Sequence, residues 1–348
     1  MKIITIETQV QLIPLKTPFI TALRRVENVE FVRVTVTCEN GMIGIGEAPA
    51  TKAITNEGID DILKSVIKIQ EYLLHQSLEE SLTILHANCE IGSSAKASID
   101  MAIVSLLAQE KGQKLYAYFG ASTPSVLKTD ITISLKDEQS MLEDSIQACE
   151  KGMDILKVKL GKDIAHAIRV TKKIAKALPH ATLLIDANQA WDIKSSLEYI
   201  KAMQGIKVEL IEQPVGADAL DALKIITQNS HIPILADESV FTLEDVKKVV
   251  QTQSASMINI KLMKCGGVSK AIEILQYARK MKVTCMLGSM LEGPYSINVA
   301  LHLCLEYKDV IRYIDLDSPL LYKEASDALD FTFNGASITY NLTRKIQV

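Results

Sequence analysis

The sequence predicts an α/β fold, a modified (β/α)8 barrel carrying an α+β capping domain, and three observations predict it. Short β-rich runs alternate with amphipathic helical stretches from about residue 130 onward, the polar residues ending successive runs recur at a nearly constant step, and the first 125 or so residues have a different texture. The runs are DITISL at 130, ILKVKL at 155, TLLID at 182, VELIE at 208, IPILAD at 232, SMINIK at 256, VTCMLG at 283 and IRYIDLD at 311. From Lys159 to Asp186, Glu212, Asp237 and Lys261 the steps are 27, 26, 25 and 24 residues, the length of one βα unit. Between them, DIAHAIRVTKKIAKAL and SKAIEILQYARKM repeat their apolar residues at three and four positions, as helices packed on a sheet require. Strands joined in this way run parallel. Eight at regular spacing, with no GxGxxG turn after the first, favour a closed barrel over an open doubly wound sheet.

The first 125 residues combine alternating strands, in FVRVTVTCENGMIGIGEA with its ENG turn, and helical patterns from about 58 to 110. The last 30 residues return to short strands around an Asn-Gly turn in DFTFNGASITYN. The expected organisation is therefore a capping domain over 1–125, a barrel over 126–318, and a segment over 319–348 that returns to the cap.

The chain has 348 residues, is 48% hydrophobic and 23% charged, and carries a net charge of -4. A large core is affordable on that composition, and no basic stripe is present to take nucleic acid or anionic lipid. No run approaches the roughly 18 apolar residues of a membrane span, and MKIITIETQV lacks the features of a signal peptide, so a cytoplasmic location is expected. The six cysteines form no CxxC pair and sit at no zinc-ligand spacing with the scattered histidines. A homo-oligomer is compatible with the sequence.

In such a barrel the carboxyl ends of the strands converge on one mouth, which brings Asp186, Glu212, Asp237 and Lys261 together with Lys157 and Lys159. A single Asp at a βα turn often caps the next helix. Three acids on adjacent strands would instead repel one another unless a cation sat among them, and hard oxygen ligands suit Mg²⁺. Lys157 and Lys159 share one strand face about 7 Å apart, and each ammonium, with the metal beyond, is expected to lower the other toward the range of a base. Lys261 lies across the barrel. The set implies that a metal-held carboxylate substrate loses its α-proton to one lysine, passes through an enediolate, and regains a proton from the other, inverting the centre.

Through LKVKL at 156, LIDANQAW at 184, LIEQP at 210, LADES at 235 and INIKLMKCGG at 258, the chain resembles the enolase superfamily and its muconate-lactonizing subgroup over nearly its whole length, including ITALRR at 20 and GIGEAPAT at 44. The resemblance implies one Mg²⁺ per subunit on Asp186, Glu212 and Asp237, with Mn²⁺ as a substitute ion. It also implies Lys159 and Lys261 as paired acid/base catalysts, Lys157 as an electrostatic helper and Glu238 as a neighbour of the metal. The closest likeness is to the dipeptide epimerases, whose last barrel strand carries an Asp-x-Asp that grips the substrate's amino terminus, here Asp315 and Asp317 of IDLDSP. Two carboxylates on one strand face can share one ammonium. By the same likeness Arg24 would pair with an acidic side chain, and Thr132, Ser134, Ser289 and Met290 would line the pocket.

The expected activity is epimerisation of a dipeptide at the α-carbon of its carboxyl-terminal residue, with L-Ala-D/L-Glu as the leading substrate. Alternatives are a dipeptide epimerase of other specificity, an o-succinylbenzoate synthase-type lyase, an N-acylamino-acid racemase, and a non-catalytic metal-binding barrel. Substrates of the lyase and the racemase lack the ammonium that a paired-acid grip would serve.

Overall fold

The computed structural model describes residues 1–22 and 24–341. At the amino terminus β1 (Ile3–Ile20), β2 (Arg25–Cys38) and β3 (Ile43–Pro49) form an antiparallel sheet in that order. The long β1 went unassigned in the sequence because it is an edge strand whose burial does not alternate at period two. Gly44 and Gly46 of β3 leave no room for a Cβ, since the backbone carbonyls of Ala102 and Ser98 lie against them. That absence of side chains lets the helix Ser93–Glu110 press directly onto the sheet, and its small residues Ala95, Ala97, Ser98 and Ala102 are buried there.

After the short β4 (Leu127–Lys128), eight parallel strands follow: β5 (Ile131–Ile133), β6 (Ile155–Lys159), β7 (Thr182–Asp186), β8 (Val208–Glu212), β9 (Ile234–Ala236), β10 (Met257–Lys261), β11 (Thr284–Gly288) and β12 (Ile311–Asp315). All eight expected runs form strands. Period two sorts their side chains. Leu184, Leu210, Leu235, Met257, Met286 and Tyr313 make a buried apolar plug. Two residues further along the same strands, the same face presents Asp186, Glu212, Asp237, Asn259, Gly288 and Asp315. A dry floor thus lies one pleat beneath a ring of polar groups.

The ring closes between β12 and β5 largely through side chains. Asp130 N–H donates to the Ile314 carbonyl at 3.0 Å, Thr129 Oγ1 donates to that same carbonyl at 3.2 Å and accepts from Leu316 N–H at 3.1 Å, and Asp317 Oδ2 accepts from Thr132 N–H at 2.7 Å. Asp317 is therefore not on the last strand, as expected from IDLD. The strand ends at Asp315, and Asp317 begins the short helix Ser318–Leu321, with its carboxylate turned across the seam instead of onto its own helix.

Two buried acids of the capping domain fasten it to the barrel. Glu47 accepts from Tyr295 and Ser296 N–H at the start of the helix Pro294–Glu306 and pairs with Arg33 at 2.8 Å. Asp100 accepts from Val268 and Ser269 N–H at the start of the helix Val268–Met281 and pairs with His86. Each puts negative charge on a helix amino terminus. The hairpin of β13 (Phe331–Asn334) and β14 (Ser337–Tyr340) pairs with β4, not with the sheet of the cap. Tyr340 packs edge-on against Tyr116 of the amino-terminal region, and Lys323 N–H donates to Pro14 of β1, so this segment touches both parts; residues 342–348 of the expected returning segment lie outside the described residues. Among the described residues no helix is long and apolar enough to cross a membrane.

Candidate active site

The strand-terminal acids do not serve as helix caps. Asp137, Asp163, Asp192 and Thr242 cap four of the helices that follow barrel strands, each accepting a backbone N–H two or three residues on. With that role filled, the acids that end the strands are free to point into the barrel mouth. Asp186 and Glu212 are register partners on β7 and β8, Lys159 is the partner of Asp186, and Lys261 and Asp315 both flank Gly288 of β11. The second and sixth barrel strands carry Lys159 and Lys261, half the ring apart, so the two amines approach the centre from opposite sides. A Cβ at Gly288 would crowd Asn259 and the Lys261 side chain; glycine there leaves that lysine its path.

A small cavity of about 50 Å³ opens over this layer, lined by Lys159, Asp237, Glu238, Lys261, Asp315 and Asp317 from the barrel, with Arg24 from the cap. Thr132, Ser289 and Met290 line it as expected. Ser134 does not; its Oγ accepts from Ile20 N–H, and Leu135 N–H donates to Ile20, which pins the β1–β2 hairpin over the mouth. Arg24 stands in the loop of that hairpin and is half-buried, and among the described residues no carboxylate lies within ion-pairing distance of it. Burial pushes its guanidinium down to about 10. Arg25 points away, pairing with exposed Glu27 at 3.2 Å.

Lysines and acids interlock beneath the cavity. Lys159 Nζ lies 2.6 Å from Asp186 Oδ2, Lys261 Nζ 2.7 Å from Asp237 Oδ2, and Lys157 Nζ 2.5 Å from Asp315, 2.7 Å from Glu212 and 3.5 Å from Asp186. Lys157 is wholly buried, whereas Lys159 and Lys261 keep 6% and 7% exposure, enough for a ligand in the cavity to touch them. For Lys157 the expected lowering is reversed. Burial pulls Lys157 down, but Asp315, Glu212 and Asp186 together outweigh it and raise it well above the ordinary value; Lys261 is likewise raised, Asp237 overruling burial. The sequence reading weighed lysine against lysine and missed that each amine faces an acid at closer range.

The acids split in the same way. Burial acts to raise Asp186 and Asp237, yet Lys159 and Lys157 hold the first below its usual range, and Lys261 and Lys264 the second. Glu212 is pushed up to about 7 by burial and by Asp186, and Glu238 to about 7 by burial and by Asp237. Among the described residues, the acids with one oxygen each within 4.8 Å of one another are Asp130, Asp315 and Asp317, not the three expected metal ligands, each of which pairs with a lysine. The donor set still fits a hard divalent cation. Three carboxylates stand on adjacent strands, and among the described residues both oxygens of buried Glu238 beside them have no hydrogen-bond partner.

Several supporting residues escaped sequence reasoning. Gln213, at a left-handed φ of 36°, accepts Asp237 N–H at 2.9 Å and Ser239 N–H at 3.1 Å on one amide atom and donates to Val215 and Ser239 from the other. Lys264 clamps Asp237 Oδ1 at 2.6 Å, and Asn259 donates to Glu212 Oε1 at 2.9 Å. LIEQP and INIKLMK carried these residues in plain view, but their work crosses strands. Gln213→Ala should lower Mg²⁺ affinity about 10- to 100-fold, as loss of a residue that orients a ligand commonly does; titration calorimetry beside a thermal melt will separate that effect from unfolding.

Residues 141–339 match the family model described as enolase C-terminal domain-like, and residues 3–120 that of the mandelate racemase / muconate lactonizing enzyme N-terminal domain. An L-amino acid-D/L-Glu epimerase of Sulfurimonas denitrificans is 60% identical over 97% of this chain and 99% of its own length. The substrate-liganded L-Ala-D/L-Glu epimerase of Bacillus subtilis superposes with a TM-score of 0.93 at 40% identity, covering 98% of this chain and 96% of that one. The dipeptide epimerase of Enterococcus faecalis, solved with Mg and L-Leu-L-Tyr, does so at 0.91 and 29% identity, covering 98% and 97%.

Proposed function

The chain belongs to the mandelate racemase / muconate lactonizing enzyme family of the enolase superfamily, and from that premise we propose that it is a Mg²⁺-dependent dipeptide epimerase acting at the α-carbon of a carboxyl-terminal glutamate. One observation carries the reading: a single cavity holds two lysines from opposite sides of the barrel, a pair of carboxylates at its closing seam and an arginine over its mouth. Each end of a dipeptide has a counterpart there. Asp315 and Asp317 take the free ammonium through charge-assisted hydrogen bonds, and Arg24 takes the side-chain carboxylate of glutamate.

The α-carbon then lies between Lys159 and Lys261. One neutral amine removes the α-proton while the other, carrying its proton, delivers it to the opposite face. A Mg²⁺ ion on Asp186, Glu212 and Asp237 would supply fixed positive charge at the substrate carboxylate and engage the acids that now pair with the lysines. Mn²⁺ would serve with the same ligands. Wholly buried Lys157 cannot touch the α-carbon; it holds Asp315, Glu212 and Asp186 in register from below. The lyase and N-acylamino-acid racemase readings leave the Asp315–Asp317 pair without a partner, because their substrates carry no ammonium.

The test is chiral chromatography of L-Ala-L-Glu incubated with protein and Mg²⁺. Interconversion with L-Ala-D-Glu supports the reading, and inertness of all dipeptides with carboxyl-terminal glutamate overturns it. The ammonium grip also sets a pH limit. Burial and Asp315 push Asp317 up to about 6, so as pH falls through that value it takes up a proton and the grip loses charge. KM for the dipeptide should rise below about pH 6, approaching tenfold per unit. In Asp317→Asn that acid limb should flatten while KM stays high throughout. The same shift gives Asp317 a stability term of the opposite sense: its folded value is above its unfolded one, so the term is present at low pH and is lost as pH rises through about 6.

A further inference from the structure

We propose that Asp130 is a positioning residue of the ammonium subsite, a neutral acid beneath Asp315 and Asp317 that shares its proton with them and keeps them at the spacing one ammonium requires. The inference rests on the dipeptide reading above.

Asp130 stands just before β5, and its N–H donates to the Ile314 carbonyl across the seam. By period two its side chain shares the inward face of Thr132, yet it does not line the cavity, so it lies one pleat below. The carboxyl is wholly buried, and among the described residues no donor reaches either oxygen; the side chain within hydrogen-bonding reach is the Asp315 carboxylate, itself an acceptor. Its neighbours are already engaged from other directions: Asp315 by Lys157 at 2.5 Å and Asp317 by Thr132 N–H at 2.7 Å. One oxygen from each of the three acids comes within 4.8 Å of the others.

A buried carboxylate with no donor on either oxygen and two carboxylates beside it is strongly disfavoured. One proton removes the conflict, because the resulting O–H donates to a neighbour. The charged groups facing Asp130 are Asp315 at the end of β12, Asp317 at the start of the helix after it and Lys157 from β6; burial and the two acids drive it well above the ordinary carboxyl range against Lys157 alone. Charge counting agrees. With Asp130 neutral, Asp315 and Asp317 face the substrate ammonium and a Lys157 already shared with Glu212 and Asp186; ionising Asp130 would add a third carboxylate with no cation of its own.

Two variants and one spectrum test this. Asp130→Asn keeps the shape and a donor, so kcat/KM for L-Ala-L-Glu should stay within about threefold of wild type. Asp130→Ala removes the donor, and KM should rise roughly tenfold with kcat little changed. Inhibition by N-propionyl-glutamate, which has no ammonium, should be the same in all three proteins. Should Asp130→Ala fail to fold, infrared spectroscopy decides. At the assay pH, the wild type should show a protonated-carboxyl band that Asp130→Asn lacks. A KM rise in Asp130→Asn as large as in Asp130→Ala, weaker binding of the ammonium-free analogue in Asp130→Ala, or no such band overturns the proposal. If the wild type epimerises no dipeptide, the functional reading fails on its own, and the band still shows whether Asp130 holds a proton.

Discussion

Lys159→Ala and Lys261→Ala should each lower kcat for dipeptide epimerisation by about 10⁴-fold, at the upper end of what one positioned acid or base supplies. Inversion needs both amines in every turnover, so loss of either stops it in both directions. The double variant should be scarcely worse than the single ones, since residues acting as a unit lose their effect together. Both lysines are held by acids that remain, Asp186 and Asp237, so each variant leaves a buried carboxylate with one cation fewer, Asp186 keeping Lys157 at 3.5 Å and Asp237 keeping Lys264 at 2.6 Å. A thermal melt will register that change, and Mg²⁺ binding should be kept or strengthened in both. Loss of the metal together with activity would point to collapse of the layer instead of loss of a catalyst.

Asp315→Asn should be nearly as damaging, lowering kcat/KM by about 10² to 10³-fold, the range for breaking a desolvated charge pair. Burial acts to raise Asp315, but Lys157 outweighs it and holds the carboxylate below its usual range, so it stays charged at any working pH. The substitution removes charge from two contacts at once, the substrate ammonium and Lys157 at 2.5 Å. Because Lys157 also touches Glu212 and Asp186, part of the loss should appear in kcat and in Mg²⁺ affinity. Asp317 pairs with no lysine among the described residues, so Asp317→Asn should act on KM alone. Steady-state kinetics on the two variants side by side will show that split.

Much of the site was legible in the sequence because a barrel turns regular spacing into proximity. Steps of 24 to 27 residues put Asp186, Glu212, Asp237 and Lys261 at the ends of neighbouring strands, and period two put them on the inner face. Asp317 was misplaced by one element. DLDSP reads as a continued strand, although the Ser-Pro after it starts a helix, and that break is what frees the carboxylate to reach Thr132. The direction of the Lys157 shift was also not legible, because the sequence shows which charges share a strand and not which acid meets which amine across strands. Gln213, Asn259 and Lys264 act on partners 24 to 47 residues away, and Asp130 on acids at the far end of the barrel, so no local spacing announces them. The edge strand β1 left no alternating pattern to find.

The central claim is that two lysines flank one α-carbon from opposite faces, and proton exchange in D₂O tests it most directly. Lys159→Ala and Lys261→Ala, each with Mg²⁺, are incubated with L-Ala-L-Glu and separately with L-Ala-D-Glu, and the α-proton of glutamate is followed by NMR. One variant should exchange the proton of one diastereomer only, and the other variant that of the other. Exchange of both diastereomers by a single variant would contradict the account.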